Sequence, residues 1–351
     1  MAAPLVYTHP WRSFFVAKDI EGLRREHVLS EHAFNSGHPL LLPWDLLRQL
    51  FFMLKAKAQG AHTAIVHFAG YHSVLPIMLG FRTFVIVAGA DSCSFPGIGY
   101  GSFRKRWMAA AMRYTYRRAS MILPVHASLE RFQNRYSDAG PCEQGYAVHT
   151  SGMIAPSLPL PYGFDLDRWV MPDLERDNKS VLCIATGAAI GNAIHYRKGL
   201  DLLIQAAKHL PDTCFTIVGT SVTTYDDVPQ NMRFQGMIHP EEIPQLFAAH
   251  GIYAQPSIMD GFPNALCEAM LMGCLPIASA MTSMPDIVGD TGQIINQRDP
   301  RALIDAILHL QALPAEEVAA MRERARQKIL PYTMERRLKV LNELIRQTGQ
   351  R

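Results

Sequence analysis

With 351 residues, of which 48% are hydrophobic and 19% charged, the chain has material for two folded domains and is too apolar to be disordered. No apolar run approaches the roughly 18 residues that span a bilayer, and nothing at the N-terminus reads as a signal peptide, so a cytoplasmic protein is expected. The net charge of +3 is unevenly shared: residues 1–160 hold 16 Lys and Arg against 9 Asp and Glu, the remainder 18 against 22.

Short apolar strands alternate with amphipathic helices, the order expected of parallel α/β sheets. In the first half, strands are predicted at "PLVYTH" (4–9), "TAIVHFAG" (63–70), "TFVIVAGA" (83–90) and "SMILPVHA" (120–127). Helical periodicity covers 18–34, 44–59 and 103–119 between them. The proline-rich, aperiodic stretch 155–169 marks a junction, so one domain is expected over 1–160 and a second over 161–330. The second half reads as strands at 180–187, 214–220, 232–238, 251–257, 274–280 and 292–296. Helices are predicted at 199–210, 240–250, after Pro263, at 299–313, and twice more toward the C-terminus. The last segment, 331–351, is expected to cross back to the first domain. Two doubly wound sheets would face each other across a cleft at their strands' carboxyl ends.

The six cysteines (93, 142, 183, 214, 267 and 274) form no C-x-x-C pair, and the fourteen histidines form no H-E-x-x-H. Reduced thiols and no bound metal are expected. Between Arg104 and Arg135 eight basic residues accompany a single acid, Glu130. Within "SFRKRWMAAAMRYTYRR" (102–118), Phe103, Trp107, Ala111 and Tyr114 share a helical face among arginines. An interfacial helix on an anionic membrane has this pattern, and so does a helix burying its aromatics beneath a basic outer face. No recognition helix or RNA-binding motif accompanies the charge, so nucleic acid is not expected.

The chemistry concentrates in "SIMDGFPNALCEAM" (257–270). Pro263 suits a first helical position and Gly273 the residue just past the helix end. The intervening loop would offer backbone N–H groups and a positive helix end to the cleft, a place for oxyanions or hydroxyls. Asp260 and Glu268, as acceptors, suit two separate sets of hydroxyl donors. On the other reading, Asp260 caps the helix and Glu268 is a solvated helical residue.

This half of the chain resembles the nucleotide-sugar-binding domain of retaining GT-B glycosyltransferases, the broad group numbered family four. The resemblance spans residues 160–310. It rests on "YRKGLDLLIQAAKHLPDTCFTIVG", on "FQGMIHPEEIPQLFAAHGIYAQPSIMDGFPNALCEAMLMGCLPIASAMTSMPDIVGDTG" and on "DPRAL". "LPYGFDLDRW" is similar to the segment that enters the second domain in that group. The implied fold is α/β GT-B, two Rossmann-like doubly wound domains, the first for the acceptor and the second for the donor. The implied activity is metal-independent transfer, with retention, from a UDP- or GDP-sugar to a saccharide or a polyprenyl- or other lipid-linked acceptor. It would require no cofactor and would serve cell-surface polysaccharide or glycolipid synthesis, in the cytoplasm or peripherally on the inner face of the plasma membrane.

The group's motif places seven residues between two acids. The resemblance implies that Asp260 contacts hydroxyls of the transferred sugar and Glu268 those of the ribose. The backbone of Gly261, Phe262, Pro263 and Asn264 would line the sugar and diphosphate, and Lys198 of "RKG" would neutralise the diphosphate. Read as a first-turn residue, Lys198 opposes the helix dipole, which favours a functional reason for it. Gly219 would allow close approach at a strand end, and Ile238, with Met237, would flank the base. Asp260 stands where the group usually has Glu, so donor preference is expected to differ there. The Arg that usually follows the first strand is missing from "CIATGAAIGNAIHYRKG", leaving Arg197 or Arg12 to supply the second cation.

The first half matches less closely. Trp11-Arg12-Ser13 replace a Gly-rich loop, and Ala88 stands at a frequent histidine. Asp91, at a strand's carboxyl end, either orients an acceptor hydroxyl or caps a turn. His67 and His72 read as structural or sugar-touching. A sugar-nucleotide epimerase and a non-catalytic nucleotide-sugar scaffold are the rival functions.

Overall fold

The computed structural model describes residues 4–34, 39–171, 176–220 and 228–346. The first half is built from β1 (Pro4–His9), α1 (Phe14–Leu23), β2 (Val28–Ala33), α2 (Leu42–Ala58) and β3 (Thr63–His67). It continues through α3 (Val74–Met78), β4 (Arg82–Val87), α4 (Arg106–Arg118) and β5 (Met121–Pro124). A small hairpin of β6 (Phe132–Gln133) and β7 (Glu143–Gln144) and the short α5 (Tyr146–Thr150) follow. The five main strands run parallel in the order β2-β1-β3-β4-β5. β1, β3 and β4 are almost wholly buried, which is why they read as continuous apolar runs.

The structure corrects one predicted helix. Periodicity over 18–34 suggests continuous helix, but the chain leaves α1 at Leu23 and pairs Val28–Ala33 with β1. As an edge strand, mostly half-exposed, β2 has no buried face to impose a two-residue alternation. The ladder to β1, distant in sequence, decides its state.

The second half opens with β8 (Ser180–Ile184), α6 (Ala193–Lys198), α7 (Leu200–His209), β9 (Cys214–Val218) and β10 (Met232–Gln235). Then come α8 (Ile243–Ala248), β11 (Ile252–Gln255), α9 (Asn264–Leu271), β12 (Leu275–Ser279) and α10 (Met284–Val288). β13 (Gln293–Ile295), α11 (Pro300–Gln311), α12 (Ala315–Ile329) and α13 (Met334–Arg346) end the described chain. Its parallel sheet is ordered β10-β9-β8-β11-β12-β13. Numbered within each half, the orders are 2-1-3-4-5 and 3-2-1-4-5-6, the two common doubly wound topologies. Strand order reverses between β8 and β11, so a crevice opens beyond their carboxyl ends.

α13 packs on α1 of the first domain. The fully buried Arg337 there donates from Nε and Nη2 to the two oxygens of Asp19, both at 2.7 Å. Its Nη1 donates to the Leu160 and Pro161 carbonyls at 2.8 Å. Tyr7 joins Asp19 at 3.2 Å, and His67 sits between the Tyr7 and Tyr162 hydroxyls at 2.8 and 2.9 Å. Burial pushes the His67 imidazole well below its usual value, so it is neutral and structural. The two passages between domains run side by side: Phe164 N–H donates to the Tyr332 carbonyl at 2.8 Å, and Met334 N–H to that of Phe164 at 3.1 Å.

On α4, Phe103 turns inward against the His149 ring. Arg113 and Arg117 donate to the His149 and Thr150 carbonyls at 2.8 Å, completing the end of α5. Two arginines of this basic segment therefore hold the fold together, while Arg104, Lys105 and Arg106 are exposed and Trp107 is 73% exposed. Among the described residues no helix is long and apolar enough to cross a membrane.

Candidate active site

β11 is apolar except for Gln255, buried at its end, after which the chain turns through 256–263 into α9. Across the crevice, α6 ends at Gly199, whose φ of +71° is left-handed. A Cβ there would lie 2.4 Å from the Pro256 carbonyl oxygen, so only glycine lets α6 press onto the end of β11. That contact sets Lys198 Nζ 2.8 Å from Asp260 Oδ2, and Gln255 Nε2 donates to the same oxygen at 2.9 Å. Lys198 is the last residue of α6, not a first-turn residue, so the helix dipole favours its charge and the expected opposition is overturned.

Burial would raise the Asp260 carboxyl, but Lys198 and then Arg197 hold it below its ordinary value, so the pair is ionised. The Thr282 hydroxyl fixes the Asp260 carbonyl, and Thr282 itself holds a φ of +50°, uncommon for a non-glycine residue. No side chain caps α9, because Asp260 turns to Lys198 and Gln255 instead. Pro263 occupies the capping position and Asn264 begins the helix. The Phe262 ring is buried against Tyr162, Phe164 and Tyr332, anchoring the loop from behind.

Glu268 lies in the second turn of α9, half-buried. Burial lifts its carboxyl to about 7 against the pull of Arg168 and Lys18, and no described residue donates a hydrogen bond to it. Among the described residues, several polar atoms on this side are buried without partners: Arg197 Nε, Ser257 Oγ, Asn264 Oδ1 and, just past the end of β9, Thr220 Oγ1. Native interiors leave few such groups unpaired, and those lining the crevice suit a polar ligand.

The first domain closes directly on this loop. A Cβ on Gly261 would meet the Ala88 carbonyl oxygen at 2.1 Å, with Gly89 behind it. Tyr136 hydroxyl donates to the Pro256 carbonyl at 3.3 Å, and His126 faces Asp286 at 3.4 Å. Asp91 is buried and committed to backbone: Ala88 and Gly89 N–H reach Oδ1 at 3.0 Å, and Ala69 N–H reaches Oδ2 at 2.9 Å. Burial nevertheless raises it to about 6. Its carboxylate ties the turns after β3 and β4, which form the first domain's side of the contact.

The two candidate cations separate in space. Arg197 stays beside the loop, its Nη1 3.3 Å from the Met259 carbonyl and its guanidinium over the Tyr100 ring at 4.8 Å. Arg12 instead faces Glu31 at 3.3 Å, an acid it shares with Arg24 and His9. Beside it the exposed Trp11 ring lies tilted against half-buried Phe68, 4.6 Å between centroids, at the carboxyl end of β1. Gly219 makes its close approach to Thr186, whose Cα lies 2.7 Å from a Cβ placed there. Ile238 is partly buried on the core and Met237 is exposed.

Sequence reasoning missed Gln255, Thr282, Lys18 and Arg168. Gln255 had a readable signal, a polar residue inside an apolar strand; the other three reach the site only through tertiary folding. Among the described residues no three His, Cys, Asp or Glu side chains group as metal ligands.

Two doubly wound domains closing on each other at their strand carboxyl ends define the GT-B architecture. Sucrose-phosphate synthase from Thermosynechococcus elongatus superposes with a TM-score of 0.74 at 16% identity, covering 98% of each chain. Anabaena Alr3699/HepE, in complex with UDP and glucose, gives 0.67 at 13% identity over 98% of this chain and 99% of that one. At such identities the likeness is one of fold. Residues 185–312, within the second domain, match the family model described as Glycosyl transferases group 1. O-antigen chain mannosyltransferase B of Escherichia coli is 35% identical over 98 residues, 28% of this chain and 26% of that protein. The matches span less than half the length of the curated relatives.

Proposed function

We propose that the protein transfers a sugar from a UDP- or GDP-sugar to a hydroxyl of a saccharide or lipid-linked acceptor, with retention and without a metal, in bacterial surface polysaccharide synthesis. One observation carries the reading. An ionised Asp260–Lys198 pair and an unpartnered Glu268 flank the switch point of a glycosyl transferases group 1 domain. The mannosyltransferase relative, named for O-antigen chains, supports the polymer class.

In this mechanism Glu268 accepts the ribose hydroxyls, while Asp260 and the 261–264 backbone orient the sugar. One Lys198 proton is engaged by Asp260, leaving its other donors for the diphosphate. The bond from the anomeric carbon to the β-phosphate oxygen breaks, and its electron pair leaves with the diphosphate. Lys198 stabilises that charge. The acceptor oxygen bonds the same face of the carbon, and its proton passes to the departing phosphate, so no protein base is required. The test is a panel of UDP-, GDP- and ADP-sugars with and without lipid acceptor. Acceptor-dependent nucleotide release supports transfer. Conversion of the sugar alone would indicate an epimerase, and binding without turnover a scaffold.

Because free Glu268 titrates near 7 and hydroxyl donors favour its ionised form, nucleoside diphosphate affinity is expected to rise with pH through 7 and flatten above it. Calorimetry should show a loss approaching tenfold per unit below that value. The raised value also makes the ligand-free protein lose stability as pH rises from the ordinary glutamate range through about 7. Glu268→Ala is expected to weaken binding roughly 10–100-fold and flatten the profile; unchanged affinity would reject the assignment.

Gly261→Ala places a methyl group into the Ala88 carbonyl and holds the domains apart. Turnover is expected to fall by about 10²-fold, with the urea midpoint unchanged. Full activity would mean that the two loops need not meet.

A further inference from the structure

One face of the first domain has no part in the proposed reaction. α2 packs Gln49, Met53 and Ala56 inward. Its outer side is apolar too: Trp44, Leu47, Phe51 and Leu54 are 41–65% exposed. At 3.6 residues per turn these four occupy an arc of roughly 80°. Exposed Arg48 and Lys55 border that arc on its Trp44 side. An apolar groove of about 430 Å³, lined by Leu46, Leu50, Val74, Leu75 and Met78, runs between α2 and α3. α3 packs on α4, where exposed Trp107 stands among Arg104, Lys105 and Arg106. The crossovers β2 to β3, β3 to β4 and β4 to β5 all advance in one direction across the sheet, so right-handedness puts these three helices on one face.

The charge on this stretch is one-sided. Between His32 and Leu129 there are ten Lys and Arg but only two acids, Asp45 and Asp91, and both are buried.

We propose that this face docks on an anionic lipid bilayer, with α2 lying in the interface. A helix that offers Trp, Phe and Leu beside a basic flank is built to sink its apolar side into acyl chains while cations meet lipid phosphates. A second copy of the chain fits worse. Two-fold pairing would set Arg48 and Lys55 of each copy against those of the other, with no exposed carboxylate to answer them. The sequence expectation centred on α4; the structure gives α2 the larger apolar surface and α4 a supporting charge. α2 also begins at the carboxyl edge of the first sheet, the edge facing the cleft. Docking therefore brings the cleft mouth to the bilayer surface, where a lipid-linked acceptor would be held.

This inference stands apart from glycosyl transfer, because binding is read without donor or acceptor. The full chain is floated with phosphatidylcholine vesicles, with and without phosphatidylglycerol. Binding is expected to favour the anionic vesicles and weaken with salt. Trp44→Ser/Phe51→Ser is expected to cut partitioning by about tenfold or more, with an unchanged urea midpoint because both side chains are exposed. Three results would overturn the proposal: no flotation of the parent, equal flotation of parent and variant, or a parent dimer that the variant converts to monomer.

Discussion

Lys198→Ala is expected to lower turnover by on the order of 10²–10³-fold, the usual cost of removing one donor from a developing oxyanion. The effect should fall on turnover more than on donor affinity, because charge on the diphosphate grows as the sugar leaves. A second consequence follows from Asp260, which would keep only Gln255 as a side-chain donor. In the parent, the depressed Asp260 value contributes stability that is present above the ordinary aspartate range and lost as pH falls through its folded value. Without Lys198 only Arg197 and Gln255 oppose burial, so the carboxyl rises, that contribution shrinks, and the variant loses less stability toward acid than the parent. Urea unfolding at several pH values reads this directly. Adding Asp260→Asn should recover stability without recovering turnover. Full turnover in Lys198→Ala would remove the lysine from the mechanism.

Arg337→Met is expected to cost about 3–5 kcal/mol in urea unfolding, because it leaves the fully buried Asp19 charge with only the Tyr7 hydroxyl. Two backbone carbonyls in the linker lose their donor as well. Pairing it with Asp19→Asn should recover part of the loss, since the uncompensated charge goes with it. A loss no larger than that of an exposed ion pair would mean that α13 is held mainly by its apolar contacts.

Most strands were readable because burial on both faces leaves an uninterrupted apolar run, as in "TFVIVAGA". β2 was not, because an edge strand shows no such run. α6 was missed for a different reason. It is a six-residue helix capped by Asn192 and ended by Gly199, too short for periodicity to register, and missing it put Lys198 at the wrong end of a helix. The Asp260–Glu268 spacing was visible in the sequence, but its division into one paired and one unpartnered acid was not. That depends on Lys198, Gln255, Lys18 and Arg168, which approach from both domains. Arg12 and Arg197 could be told apart only through Glu31, on the strand that was misread.

The paired passages at Phe164 and Thr333 bear on how the molecule is made as well as how it closes. The second domain is an insertion between the body of the first and its last helix. During synthesis Asp19 emerges long before Arg337, so the first domain waits, incomplete, while the whole second domain is translated. When α13 docks, the two passages pair through the Phe164–Tyr332 and Met334–Phe164 hydrogen bonds. From that point two hydrogen-bonded passages of chain, rather than one, join the domains.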